Sequence, residues 1–143
     1  MLENTVVEKV TIVVSEDLTI SEAANVCACI SAGLAANSPT WAAQALTDAQ
    51  GMGSVASSHL PIVILKANAA RFTALLEQLS STDRPLHSSV SLFPAYAKTM
   101  HDAKLYWEKH SMLSHGTEAM LGIGLAGNKR WINSLVGSFP LLR

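Results

Sequence analysis

Charged residues are scarce in this chain, and neither sign dominates. Lys and Arg together number 10 and Asp and Glu 11, so charged residues make up 15% of the 143 and the net charge is −1. Because general nucleic-acid binders carry a clear basic excess, this composition argues against a nucleic-acid partner. An apolar fraction of 49% with so few charges instead predicts that part of the surface is buried in an oligomer, which we expect to be a homodimer.

Cysteine is also scarce, and it offers neither a disulfide nor a metal site. Cys27 and Cys29 are the only two in the sequence. Residues two apart on a helix point about 200° away from each other, and the spacing is not the C-x-x-C of zinc or redox sites. No two of the residues His101, His110 and His115 are four positions apart on a helix, as metal ligands often are, and no carboxylate cluster joins them. We therefore predict no metal and no cofactor.

No run of 18 apolar residues is present, and the start of the chain has no basic region followed by an apolar stretch. We therefore expect a cytoplasmic protein without membrane contact. A chain of this length buries roughly 68% of its unfolded surface, which is enough for a stable core without a metal ion or a disulfide. We expect residues 1–143 to form a single domain.

A glycine-rich segment has the spacing of a dinucleotide-binding turn. Gly122, Gly124 and Gly127 match G-x-G-x-x-G, but that turn opens a βαβ unit of about 30 residues with an acidic residue about 20 positions further on. Only 16 residues (143 − 127) follow Gly127, and none is Asp or Glu. We therefore expect a final strand whose glycines let a neighbouring helix pack closely.

Apolar periodicity predicts strands that alternate with helices. The predicted strands are Val10–Val14, Pro61–Lys66, Leu86–Phe93 (at a sheet edge) and Met120–Ala126. Helices are predicted after a capping box at Thr19 and Glu22 and after the N-caps Asn68 and Asn128. A further helix is predicted after Pro94 and covers Ala95–His110. This alternation indicates an α/β fold, a three-layer α/β/α sandwich with a mixed sheet of four to five strands.

Residues 38–60 are the least regular part of the sequence. Ala42–Leu46 is compatible with a short helix, and a Gly-rich stretch that begins at Asp48 and ends at His59 follows it. Long loops inside small domains are typically functional or mobile.

Both ends of the chain resemble peptidyl-tRNA hydrolase II. The similar segments are Val13-Val14-Ser-Glu-Asp17-Leu18 with the Ala-rich helix after it, and Leu121-Gly-Ile-Gly124 with Ile132–Gly137 after it. Over most of its length the chain is similar to the bacterial family called domain of unknown function 2000, through Asn25, Gly33-Leu34, Asp48, Gly51, His59 and the strand after it. The resemblance implies a peptidyl-tRNA hydrolase II-like fold.

The residues that carry the hydrolase's chemistry are replaced. The family's Gly-Lys-(apolar)-Ala-Ala-Gln stretch falls on Ala23–Ala28, so that its catalytic lysine becomes Ala24. Its Asp-Ala-Gly-Arg-Thr segment falls on Trp107–Ser111, which has no aspartate. Since a scaffold does not carry a function once its polar groups are gone, we expect no peptidyl-tRNA hydrolysis.

Five polar residues are candidates for a binding site: Asn25, Ser31, Asp48, His59 and Lys66. Asn25 is an amide in an apolar helix, where burial without a partner costs about 1–3 kcal/mol, so it either contacts a ligand or ties down the 38–60 loop. Asp48 and His59 either form a general-base pair or only stabilise that loop.

We therefore predict a binding protein whose pocket lies beside the first helix and the 38–60 loop. Its ligand is a small molecule or a macromolecular end group. One alternative is a hydrolase of amides or esters with His59 as base, including residual peptidyl-tRNA hydrolase-like activity, although no G-x-S-x-G elbow is present. The other is a structural or interaction homodimer.

Overall fold

The computed structural model describes residues 6–143, which form a mixed α/β fold. Its strands are β1 (Lys9–Ser15), β2 (Ala45–Thr47), β3 (Gly53–Val55), β4 (Ile62–Ala67), β5 (Ser89–Pro94) and β6 (Met120–Gly127). Its helices are α1 (Ile20–Asn37), α2 (Ala69–Ser81), α3 (Ala103–Met112) and α4 (Lys129–Val136), with short 3-10 helices at Pro39–Trp41, Ala95–Thr99 and His115–Thr117. None of the helices in the described residues is long and apolar enough to cross a membrane.

Four strands form the main sheet in the order β4-β1-β6-β5. β1 runs parallel to β4, whereas β6 is antiparallel to both β1 and β5. The predicted α/β class with a mixed sheet is therefore confirmed; four to five strands were expected and the sheet has four, with β5 at an edge. At the opposite edge, the C-terminal residues extend the pairing, because Leu142 donates its N–H to the carbonyl of Ile64 at 3.0 Å.

Helices cover both faces of this sheet. Alternate residues of a strand point to opposite faces, and β1 presents buried apolar side chains to each of them. Ile12 and Val14 of β1 belong to a cluster with the buried side of α1. Val13 belongs to the other cluster, which includes the buried residues of α2 and α4. Each predicted N-cap is present: the side chains of Thr19, Asn68 and Asn128 accept hydrogen bonds from the first turns of α1, α2 and α4.

The glycines of β6 bring α1 unusually close to the sheet. A Cβ atom at Gly122 would lie 2.6 Å from Val26 Cγ1, and one at Gly124 would overlap Ile30 Cγ2. The expected packing role of these glycines is confirmed. β6 is also antiparallel to both of its neighbours, whereas a dinucleotide-binding turn requires a parallel βαβ unit.

Residues 38–60 contain a β-hairpin rather than the predicted loop with a short helix at Ala42–Leu46. β2 and β3 pair antiparallel in a separate two-stranded sheet, with Ala45 opposite Val55. All six of their residues are exposed. The helix prediction was wrong because local turn chemistry at residues 48–52 closes a hairpin here.

The predicted continuous helix over Ala95–His110 was also wrong. A 3-10 helix at Ala95–Thr99 ends at Met100, and α3 begins separately after Asp102, whose side chain accepts the Leu105 N–H at 3.0 Å. α3 has no buried residue, so no apolar face holds it in line with the preceding turn.

Candidate functional site

Asn25 lines two neighbouring clefts between α1, β5 and the segment 95–101. The larger has a volume of about 450 Å³ and the smaller about 230 Å³. Asn25, Phe93 and Lys98 line both, so the clefts meet at these three residues. The larger cleft is also lined by Cys29, Ile30, Ser91, Leu92, Met100, His101 and Tyr106, and the smaller by Leu18, Glu22, Val26 and Leu121.

The N-terminal cap of α1 positions Asn25. Thr19 Oγ1 accepts the Glu22 N–H at 3.2 Å, and Glu22 Oε1 accepts the Thr19 N–H at 3.1 Å. Val26 and Ile30 are buried against the sheet, and this places Asn25 and Cys29, one turn apart, on an exposed flank. Because Asn25 is exposed, the cost of burying an unsatisfied amide does not apply to it.

An ion pair stands where the clefts meet. Lys98 Nζ lies 2.5 Å from Glu22 Oε2, with the two side chains 57% and 33% exposed. The hydrogen bond from Lys98 first, and the hydrogen bonds with Thr19 second, together lower the pKa of Glu22 from 4.5 to about 2. Glu22 therefore stays ionised at any physiological pH and holds the ammonium group beside Asn25.

Small polar residues of β5 let α1 approach this edge of the sheet. Ser91 lies below Gly33, where an added Cβ atom would be 3.5 Å from Ser91 Oγ. Asn37 Nδ2 donates to Ser89 Oγ at 2.6 Å and ties the end of α1 to the start of β5. Ser91 thus reaches the larger cleft beside the apolar side chains of Ile30 and Phe93.

Two alternatives were open for Asp48 and His59, a general-base pair or stabilisation of the loop, and the hydrogen bonds described for them all lie within residues 38–60. The Asp48 carboxylate accepts the N–H groups of Gln50 at 2.8 Å and Met52 at 3.0 Å, and these bonds lower its pKa and close the hairpin turn. His59 is exposed, and its backbone N–H donates to the carbonyl of Trp41. Neither residue lines the clefts at Asn25.

Ser31 and Lys66 also lie away from these clefts. Ser31 is half-buried on α1. Lys66 is half-buried in β4, at the sheet edge opposite β5, and its N–H donates to the carbonyl of Pro140 at 2.9 Å. The structure thus brings Asn25 together with Glu22 and Lys98 rather than with Ser31, Asp48, His59 or Lys66.

The missed residues leave no local signal in the sequence. Lys98 and Glu22 are 76 positions apart. His101 and Tyr106 reach the larger cleft only because the helical structure is interrupted between Thr99 and Ala103, before α3. Within residues 6–143, no three His, Cys, Asp or Glu side chains are grouped so that they could hold a metal ion.

Comparison with curated proteins gives no significant match. A solved structure of a protein of unknown function from Agrobacterium tumefaciens superposes with a TM-score of 0.80, covering 94% of this chain and 97% of that one. Its sequence is 17% identical, so the likeness shows the fold alone. The family described as protein of unknown function DUF2000 matches residues 8–143. The chain therefore belongs to the DUF2000 family.

Proposed function

We propose that this protein is a binding protein and that the joined clefts beside α1 and β5 hold its ligand. The observation that carries the proposal is the meeting of two clefts at Asn25, Phe93 and Lys98. Ligand sites are typically concave and mostly apolar, with a few polar groups that fix orientation. This site has that composition.

The polar groups favour a ligand that carries a hydrogen-bond acceptor such as a carboxylate or a carbonyl. An ammonium group has three donors, and the Lys98 ammonium gives one to Glu22, which leaves donors for a ligand. Asn25 adds an amide that both donates and accepts. Apolar contacts come from Phe93 and Met100, so the ligand is a partly apolar small molecule or end group.

A thermal-shift screen of small carboxylates and amides tests this proposal. We expect at least one compound class to raise the Tm of the wild type, and we expect Lys98→Ala and Asn25→Ala to reduce that shift. Lys104→Ala is the matched control, since Lys104 is exposed on α3 and lines neither cleft. Equal shifts in all the variants would place the ligand elsewhere.

We also propose a peptidyl-tRNA hydrolase II-like fold without that enzyme's activity. The order of a first strand, an Ala-rich helix and a late Gly-rich strand supports the fold. Ala24, at the position of the family's lysine, is exposed on α1, and Trp107–Ser111 lies within α3. We expect the purified protein to release no amino acid from peptidyl-tRNA above the buffer rate. Catalytic turnover would contradict us.

Self-association is a second proposal, and the hairpin supports it. Leu46, Met52 and Val55 are 47%, 68% and 71% exposed. A lone two-stranded sheet is only marginally stable in water, so packing against a second copy would stabilise this one. We expect a dimer by native mass spectrometry that Met52→Glu weakens. Leu86→Glu, which changes another exposed apolar residue, is the control, and a monomeric wild type would refute the proposal.

A further inference from the structure

α3 is held to the rest of the molecule by rings rather than by a buried apolar face. None of its residues is buried, and only Tyr106 and His110 are half-buried. These two rings meet Tyr96 of the preceding 3-10 helix and His115 of the following one. We call Tyr96, Tyr106, His110 and His115 the four-ring cluster.

The four-ring cluster is closely packed around two stacked imidazoles. The rings of His110 and His115 lie 4.0 Å apart at an interplanar angle of 27°. Tyr96 Oη lies 2.7 Å from His115 Nε2, and the ring of Tyr106 meets the edge of His110 at 5.9 Å. Lys109 Nζ sits 4.7 Å from the centre of the Tyr96 ring.

Protonation works against this arrangement. His110 Nδ1 is buried and has no hydrogen-bond partner among the described residues, so a proton added there would have no acceptor. Two imidazolium rings in a 4.0 Å stack would also repel each other. Burial first, and His115 second, lower the pKa of His110 below its ordinary 6.5.

Lys109 and Glu118 are charged groups beside the cluster, and their charges have opposite signs. Lys109 lies over Tyr96 and is itself cationic. Burial first, then Tyr106, and then the negative charge of Glu118 raise the pKa of the Tyr96 hydroxyl. Glu118 lies next to the turn that contains His115. α2 packs against that turn, but its Arg71 contacts Phe139 and its Glu77 is exposed without an ion pair among the described residues.

Tyr106 connects the cluster to the candidate site, because it also lines the larger cleft. We propose that the four-ring cluster is a pH-sensitive clasp, which holds α3 as a wall of the larger cleft at neutral pH and releases it when His110 becomes protonated. The assignment of that cleft rests on the proposed function, whereas the release of α3 does not.

The direction of the pH effect follows from the lowered pKa of His110. The docked state favours neutral imidazole, so docking is strongest above the ordinary value of 6.5 and weakens as pH falls from there toward the lowered pKa. Free α3 binds more protons than docked α3 in this window.

Hydrogen–deuterium exchange of the ligand-free chain tests the clasp. From about pH 7.5 to about pH 5.5, after correction for intrinsic exchange, we expect the α3 amides to lose roughly three- to tenfold protection relative to those of α4. His110→Phe keeps a stacking ring but does not titrate, so its α3 protection should not change with pH. His59→Phe, an exposed histidine outside the cluster, should behave like the wild type.

Amide exchange at Met100 reports whether release of α3 disturbs the larger cleft, because Met100 lines that cleft and its N–H donates to the carbonyl of Ala97 at 3.1 Å. We expect this amide to lose protection at low pH in the wild type but not in His110→Phe. A pH-independent α3, or equal pH dependence in His110→Phe, would overturn the clasp. Release of α3 with unchanged exchange at Met100 would overturn its role at the cleft. A failed ligand screen would leave both results intact and would count against the proposed function alone.

Discussion

At the scale of single residues, Glu22 connects the start of α1 to the candidate site. One carboxylate oxygen accepts the Thr19 N–H in the capping box, and the other meets Lys98. The capping box follows from a spacing of three residues in the sequence. The ion pair cannot be predicted in this way, because Lys98 lies in the 3-10 helix at Ala95–Thr99. The position of that helix depends on β5 before it and on the interruption of the helical structure before α3.

Glu22 predicts a specific dependence of stability on pH. Its pKa is lowered from 4.5 to about 2 in the folded chain, so its contribution is complete above 4.5 and is lost as pH falls toward 2. We expect Glu22→Gln to remove this part of the acid destabilisation in urea unfolding at a series of pH values. Gln can still cap the helix, so the charge is what is tested.

The matched control for Glu22→Gln is Glu77→Gln, since Glu77 is exposed on α2 and has no ion pair among the described residues. The control should retain the wild-type difference in stability between mildly acidic and strongly acidic solution. If both variants behave alike, Lys98 does not hold the Glu22 carboxylate in solution.

At the scale of elements, the close contact of α1 with β6 fixes one wall of the clefts. We expect Gly124→Ala to destabilise the chain by about 1–3 kcal/mol, because the new methyl group overlaps Ile30 and Leu34 in a packed core. Urea unfolding measures the loss. Gly53→Ala is the control, since a Cβ atom there meets nothing within 4 Å, and an equal loss in both variants would show that the contact is looser than described.

Elements with strong local signals could be predicted from the sequence. β1, β4 and β6 are short apolar runs, and α1, α2 and α4 begin at side chains that cap them. Where local signals are weak, the predictions failed. The hairpin depends on the turn that Asp48 closes, and α3 depends on ring contacts with the 3-10 helices on either side of it.

At the scale of the whole molecule, the candidate site lies where three segments converge on one sheet edge. Asn25 could be singled out because an amide stands out in an Ala-rich helix. Its neighbours could not, since β5 and the segment 95–101 reach α1 only through the order of strands in the sheet. No residue of the 38–60 segment lines either cleft at Asn25, and the expected pocket beside that segment stays a prediction.

Chemical-shift mapping tests the central claim most directly. In a ¹⁵N-labelled sample titrated with the carboxylates and amides of the screen, we predict that binding compounds shift the amide signals of Asn25, Phe93 and Lys98. Signals of the hairpin residues 45–55 should stay in place. Compounds whose shifts map to the hairpin or to β4, with the signals around Lys98 unchanged, would contradict the assignment of the ligand site.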